Sequence, residues 1–451
     1  MASTRISRTQ SGAESAAGRR TFTFSAWIKR TGLGGAELFG SDSDGARSNN
    51  YFIIDFNGTD QLDISEYVSG SQFRLTTTRQ FRDTNSWYHL VVAFDTTQGT
   101  SSNRVKIYVN GVQETAFGTE NYPSQDYQTR MFAQNKIHAF GRSGGHFDGL
   151  ISHCHAAEGT AYAPTVFGET DSATGEWKIN TTPTVSYGTN GFFLFKDDNA
   201  VTNQAGNSSG NFAVTAGTFT KTEDCPSNVF CTANPLDYNS VSHSIGNTKL
   251  NWSQSAGNFG LTTGTIGMTT GKYYWEAKIT SADNSTGIGL GVIQTEPYLS
   301  RTTTTGVNTS LFYGLGARFA TDKSISKTSN GVDSSISDTW SNDVIIRIAY
   351  DGDAGKIYMW KGTSEFNGQT FSSNTSFNDA TLTAGTMVLP YFTFGDGGSG
   401  TKTSQVELNF GNGYFGTTAV SSAGTNASNI GIFEYDVPTG YTALSTKGLN
   451  E

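Results

Sequence analysis

Several short stretches carry residue types that could do chemistry. QLDISE (61–66) offers two carboxylates, and a retaining glycosidase needs two such groups about 5–5.5 Å apart, one as nucleophile and one as acid. Asp63 and Glu66 lie three residues apart, so on a strand they point to opposite faces unless a bulge intervenes. GNSSG (206–210) satisfies Gly-x-Ser-x-Gly, a spacing that activates serine only at a strand-to-helix turn with His and Asp partners. Here it reads as a Gly/Asn/Ser loop. GMTTGKYY (267–274) falls short of a phosphate loop, because Ile266 stands where the first Gly belongs and Tyr273 follows Lys272 in place of Ser or Thr. His153 and His155 share a strand face and could hold a metal with His146, yet structural zinc takes four ligands; the alternative is two outward polar positions with Cys154 inward. SDSDG (41–45) puts Asp42 and Asp44 in a turn whose oxygens could hold calcium, or simply form a solvated turn. No cofactor is required by any of these stretches. Of the seven tryptophans, Trp27, Trp87, Trp275 and Trp360 lie in strand-like runs and read as core. Trp177, Trp252 and Trp340 lie in polar surroundings and are the candidate sugar-stacking rings, against the alternative that each packs under a loop.

Composition bounds what can position these residues. The chain has 451 residues, enough for two or three domains, with only 15% charged residues and 53 Gly. Thirty Phe and 19 Tyr supply core, which speaks against disorder. A formal charge of −9 lacks the basic footprint of a nucleic-acid binder. No run of 18 apolar residues exists, so no membrane insertion is expected. The first twenty residues hold no apolar leader segment, and Cys154, Cys225 and Cys231 read as free thiols of a protein made in a reducing cytoplasm, against the alternative of a Cys225–Cys231 bridge that their spacing allows.

The elements are strands. SWYHLVVAFDTTQGTSSNRVKIYVNGVQ (86–113) holds two apolar segments, and Val105, Ile107 and Val109 alternate with Lys106 and Tyr108. Asn110-Gly111 supplies the positive φ that tight hairpins require. A similar hairpin, DVIIRIAYDGDAGKIYMWKG, returns at 343–362, which predicts two copies of one architecture. The expected fold is all-β: two antiparallel β-sandwich (jelly-roll) domains in tandem. The expected division is an N-terminal arm over 1–20, a first sandwich over 21–200, a linker over 201–235 and a second sandwich over 236–451. One helical turn is expected near 163–171.

FTFSAWIKR, SWYHLVVAFDTTQ and KIYVNGV, in that order, resemble the laminin-G-like, concanavalin A-like lectin fold. QLDISE is similar to the Glu-x-Asp-x-x-Glu strand of laminarinase-type glycosidases of that fold, but Gln61 replaces the first Glu and can be neither nucleophile nor acid. More narrowly, RTFTFSAWIKR, TTTRQFRDTNSWYHLVVAFDTTQ, NRVKIYVNGVQ, FDGLISHCHAAEGTAYAPTVFGETD and GTNGFFLFKDD resemble a group of virion proteins from phages of marine bacteria, over most of residues 20–198. GKYYWEAKI, GIGLGV, YDGDAGKIYMWKG and PTGYTALSTKGLNE resemble a SPRY-like domain.

The resemblance implies a virion component with a sandwich fold, assembled in the host bacterial cytoplasm; it carries no agreed ligand and no place on the particle. With no carboxylate pair and no heptad or short-β stalk, the expected role is non-enzymatic: a compact decoration or appendage on capsid or tail, displaying glycan-binding loops. Its implied partners are other phage virion proteins, further copies of itself and host surface glycans. The alternatives are a receptor-binding lectin of the tail and, against the missing carboxylate pair, a polysaccharide depolymerase.

Overall fold

Val105, Ile107 and Val109 are buried, while Lys106 and Tyr108 are half-buried on the opposite face. Asn110 (φ 48°) and Gly111 (φ 80°) close the turn onto Val112, the two positive φ values that a tight hairpin demands. The computed structural model describes residues 4–42, 49–141, 145–196, 201–237, 240–254, 259–283, 286–295, 312–317, 324–329, 332–339, 341–365, 382–396 and 401–450. The chain divides into one unit of Met1–Lys221 with Cys225–Ser227 and another of Thr222–Asp224 with Asn228–Glu451. Both are antiparallel β-sandwiches, and the fold is all-β. Among the described residues no helix is long and apolar enough to cross a membrane.

In the first unit an eight-stranded sheet runs in the order Phe117–Asn121, Ser71–Gln80, Gln61–Tyr67, Tyr51–Phe56, Ala36–Asp42, Ile137–Phe140, Arg5–Thr9, Ala213–Ala216. It faces a six-stranded sheet ordered Phe192–Leu194, Gly149–Glu158, Thr21–Arg30, Tyr88–Asp95, Val105–Val109, Val112–Gln113. Phe22, Phe24, Ile28, Phe52, Ile54, Leu62, Ile64, Phe73 and Phe94 fill the space between them.

The second unit repeats this plan. Its central run Lys402–Asn409, Lys272–Ala282, Val344–Asp351, Lys356–Lys361, Ser364–Glu365 matches, strand for strand and all antiparallel, the first unit's run from Gly149–Glu158 to Val112–Gln113. The hairpin that recurs in the sequence thus occupies one topological place in both sandwiches.

Two expectations are corrected. The arm expected over 1–20 contains a strand, Arg5–Thr9, paired with Ile137–Phe140 on one side and Ala213–Ala216 on the other, followed by the short helix Ala16–Arg20. The second of those partners lies inside the expected 201–235 linker. The reason is Arg8, which is buried rather than solvated. Its guanidinium lies 5.1 Å from the Phe192 ring and 4.8 Å from that of Phe212, and it donates to Ser209, Gly210, Gln10 and Asn190. Burial lowers its pKa to about 10. The GNSSG loop is therefore pinned to the sandwich. Ser209 is buried, accepts from Arg8 and Asn203 and donates to Gly191 O. The motif serine itself, Ser208, is exposed, and the next element is the strand Ala213–Ala216 in place of the helix that a nucleophile turn needs. The helical turn expected near 163–171 is the single 3-10 turn Pro164–Val166.

Candidate functional site

The hairpin of Tyr51–Phe56 and Gln61–Tyr67 has a mirrored sequence: Tyr51-x-Ile53-x-Asp55, a turn, then Asp63-x-Ser65-x-Tyr67. Antiparallel pairing folds the mirror onto itself, so Tyr51 faces Tyr67, Ile53 faces Ser65, and Asp55 faces Asp63. The intervening Phe52, Ile54, Phe56, Leu62 and Ile64 enter the core, which sends the mirrored set to the outer face of the eight-stranded sheet. The two tyrosine rings stack with centroids 5.8 Å apart and planes 15° apart, and Tyr67 is 36% exposed. From the tyrosine pair to the aspartate pair is four residues, about 13 Å along the strand. Across the sheet, Glu37 lies opposite Asp55, and Arg74 lies opposite Ser65.

Asp63 is tied down. Oδ2 accepts from Arg74 Nε at 2.8 Å and Nη2 at 2.5 Å, and Oδ1 from Thr76 Oγ1 at 3.4 Å. The hydrogen bond that Arg74 donates to Asp63 raises the Arg74 pKa, and half of the Arg74 side chain remains exposed. Glu66 faces the other way, as its spacing from Asp63 predicts. It is buried between Phe52 and Phe73, accepts two hydrogen bonds from Arg130 N and one from Tyr127 Oη, and burial raises its pKa to about 7. The outer face thus combines a ring platform, carboxylate acceptors, guanidinium donors and hydroxyls, the inventory that a polyhydroxylated ligand requires. Asp55 and Asp63 are neighbours on this face, but both oxygens of Asp63 are already engaged. The remaining carboxylate of the QLDISE motif is on the inside.

A second polar centre lies on the outer face of the six-stranded sheet, beneath the segment 160–190. His89 is sandwiched between Trp27 (4.8 Å, 13°) and Trp177 (6.0 Å, 17°). Trp177 Nε1 donates to His89 Nδ1 at 3.0 Å, and His89 Nε2 meets Ser25 Oγ at 2.9 Å. An indole N–H only donates, so Nδ1 is the bare nitrogen and the imidazole proton sits on Nε2, pointing at the serine. A serine nucleophile needs the reverse: a bare Nε2, with the Nδ1 proton held by a carboxylate. Burial lowers the His89 pKa to about 3, which keeps the ring neutral. This pair therefore has the spacing of a catalytic dyad and the opposite polarity. Nearby, His155 stacks on Phe193 at 4.0 Å and bonds Tyr187 Oη at 2.7 Å, which completes an aromatic layer that covers the sheet.

The structure distributes the candidates named from sequence as follows. Trp177 is half-buried, with one face on His89 and its edge against Gly111, where an added Cβ would lie 2.5 Å from the indole. Trp252 is 1% exposed and stacks on Phe394, so it is core and presents no face to a sugar. Its polar neighbours Asn251 and Ser253 misled, because on the strand Lys249–Gln254 they take the opposite face. Trp340 and Asp44 lie outside the described residues. Asp42 is buried at the end of Ala36–Asp42, opposite Ile137. His153 and His155 are separated by a bulge at which His153 has φ 45°, while Cys154 enters the core. His146 Nδ1 lies 3.3 Å from Thr4 O, and among the described residues no group of three or more His, Cys, Asp or Glu could hold a metal ion. Cys154, Cys225 and Cys231 form no disulfide. The Tyr51–Tyr67 face was not anticipated; its signal was the mirror of Tyr and Asp about residues 57–60.

The matched span of the family comparison contains this whole hairpin. Residues 7–160 match the concanavalin A-like lectin/glucanases superfamily. The first unit thus carries a laminin-G-type, concanavalin A-like lectin domain over those residues. No curated protein matches the chain. Among solved structures, the chain is similar to the SPRY domain of human HERC1 at 17% identity and TM-score 0.29, covering 39% of this chain and 96% of that one. It is also similar to the TRIM65 PSpry domain (14%, TM-score 0.28, covering 40% and 88%). A third similar structure is a heptameric SAP-like pentraxin from Limulus polyphemus (14%, TM-score 0.26, covering 36% and 72%). At such scores these likenesses carry no weight for function.

Proposed function

We propose that this chain is a non-catalytic carbohydrate-binding protein whose ligand lies on the Tyr51–Tyr67 face of the first unit, and that it serves as a structural and display component of a bacteriophage particle. The observation that carries the binding reading is the stacked tyrosine pair, with Tyr67 open to solvent, continuing along the same two strands into the Asp55–Asp63–Arg74 group. Membership of residues 7–160 in a lectin and glucanase superfamily supports it. The non-catalytic part is supported by the engaged oxygens of Asp63, the inward Glu66 and the reversed polarity of Ser25–His89. The placement on a phage is supported by the sequence resemblance over residues 20–198 alone.

A glycan array with the purified chain tests the binding reading. Tyr67→Ala removes the exposed ring without touching the core and is expected to weaken the best-bound glycan about tenfold, equivalent to about 1.4 kcal/mol, in a calorimetric titration. An unchanged affinity would move the site elsewhere. Release of reducing ends from the same polysaccharides would contradict the non-catalytic reading, and locating the chain in a map of an intact particle tests its place, capsid or tail.

A further inference from the structure

We propose that a cleft in the second unit, bounded by the 270–273 loop, the 352–355 turn and the 427–450 segment, is a second saccharide site that takes a neutral oligosaccharide. It goes beyond the first-unit reading and uses none of its residues.

The cleft has a volume of about 700 Å³, inside the usual range of ligand pockets of roughly 300–1,000 Å³. Its walls are built, not draped. Thr442 and Ala443 pair in parallel with Tyr273 and Tyr274, and Gly271 N donates to Asp353 Oδ1 at 3.0 Å. Thr442 Oγ1 reaches Ser428 Oγ at 3.2 Å, and Gly448 N reaches Ser445 Oγ at 3.1 Å. Gly440 (φ 82°) leaves its stretch of wall open, since a Cβ there would meet no atom within 4 Å.

The lining chemistry selects the ligand class. Lys272, Tyr273, Asp353, Ser428, Tyr441 and Asn450 supply donors and acceptors of both kinds. The ammonium of Lys272 is 3.1 Å from Asp351 Oδ2 and 5.9 Å from the centre of the Tyr441 ring, so its charge is already compensated. A phosphate, sulfate or uronate would bring its charge beside Asp353 with the cation of this lining already paired. An apolar ligand would strand the polar groups. Sugar hydroxyls donate and accept at once, and a carboxylate such as Asp353 accepts from a neighbouring pair of them.

The test is saturation-transfer NMR on the full chain with a panel of neutral cello-, malto-, manno- and xylo-oligosaccharides, and with oligogalacturonates and sulfated disaccharides as the anionic arm. Tyr67→Ala weakens the first-unit face about tenfold, and the transfer that remains is assigned to the cleft by its loss in the cleft variants. In that background transfer to at least one panel member is expected to persist and to fall at least tenfold on adding Ala427→Trp, which places an indole in the cleft from an exposed wall position. Asp353→Ala, which fills nothing, is expected to weaken the same ligand about tenfold, and unchanged melting of both variants shows that they fold. The proposal is overturned if Tyr67→Ala alone abolishes all transfer, if Ala427→Trp leaves transfer undiminished, or if anionic sugars alone bind. The first of these outcomes spares the first-unit reading. The converse, in which Ala427→Trp abolishes binding and Tyr67→Ala changes nothing, spares the cleft and removes the first-unit site.

Discussion

Replacing Glu276 by glutamine is expected to destabilise the second unit by about 1–3 kcal/mol, because the amide nitrogen leaves one buried backbone donor, Tyr435 N or Glu434 N, without its acceptor. Glu276 is fully buried on the strand Lys272–Ala282. Oε1 accepts from Tyr435 N and Tyr274 Oη, both at 2.9 Å; Oε2 accepts from Glu434 N at 2.9 Å and Asn409 Nδ2 at 3.2 Å. The carboxylate thereby fastens the 421–437 segment over the sheet. An amide nitrogen in place of either oxygen meets donors with a donor. Burial raises the Glu276 pKa to about 7, outweighing the four hydrogen bonds. On protonation, the Tyr274 hydroxyl can turn to accept the acid proton. The native state then holds this proton over a pH range in which the unfolded chain, with an ordinary carboxyl near 4.5, has lost it. Stability from this group is therefore fully present below pH about 4.5 and is lost as pH rises through about 7. The loss is about 3 kcal/mol. Glu66 adds the same slope in the first unit. Urea melts of the wild type at pH 5 and pH 8 should show the fall, and Glu276→Gln should remove the share belonging to the second unit. A wild-type stability that rises over this interval would contradict the assignment.

The second large effect is expected at Asp60, where alanine should cost the first unit about 3–5 kcal/mol by leaving a buried charge without its partner. Arg30 is fully buried, with its guanidinium 4.3 Å from the Phe56 ring and Nη2 3.1 Å from Asp60 Oδ1. Asp60 Oδ1 also accepts from Gly34 N at 2.6 Å, and Oδ2 from Arg82 Nε at 3.0 Å. Asp60 closes the turn of the Tyr51–Tyr67 hairpin at φ 65°, a conformation that asparagine tolerates. Asp60→Asn should therefore keep the turn and lose less stability than Asp60→Ala. Since this turn sets the pairing of Tyr51 with Tyr67, glycan affinity should fall with Asp60→Ala even where the protein remains folded. Chemical denaturation and titration on the same samples separate the two effects.

These cases show what was legible in the sequence. The hairpins at 86–113 and 343–362 declared two sandwiches, because strand alternation and turn chemistry are local. The strand Arg5–Thr9 was not legible, since its burial depends on rings of Phe192 and Phe212 that lie about 200 residues away in the chain. Trp252 was misread because polar neighbours on a strand belong to its other face. The Ser25–His89–Trp177 contact joins three distant positions, and its polarity depends on an indole that no spacing rule connects to the histidine. By contrast, the Tyr51–Tyr67 face was fully written in a 17-residue mirror, whose halves become a surface only once strand pairing is considered.

The most direct test of the central claim is a crystal structure of the chain with its best-bound oligosaccharide. The account predicts intact sugar rings lying across Tyr51 and Tyr67, with hydroxyls on Asp55 and Arg74. Cleaved sugar at Asp55–Asp63, or a ligand bound in the first unit away from this face with Tyr67 untouched, would contradict it.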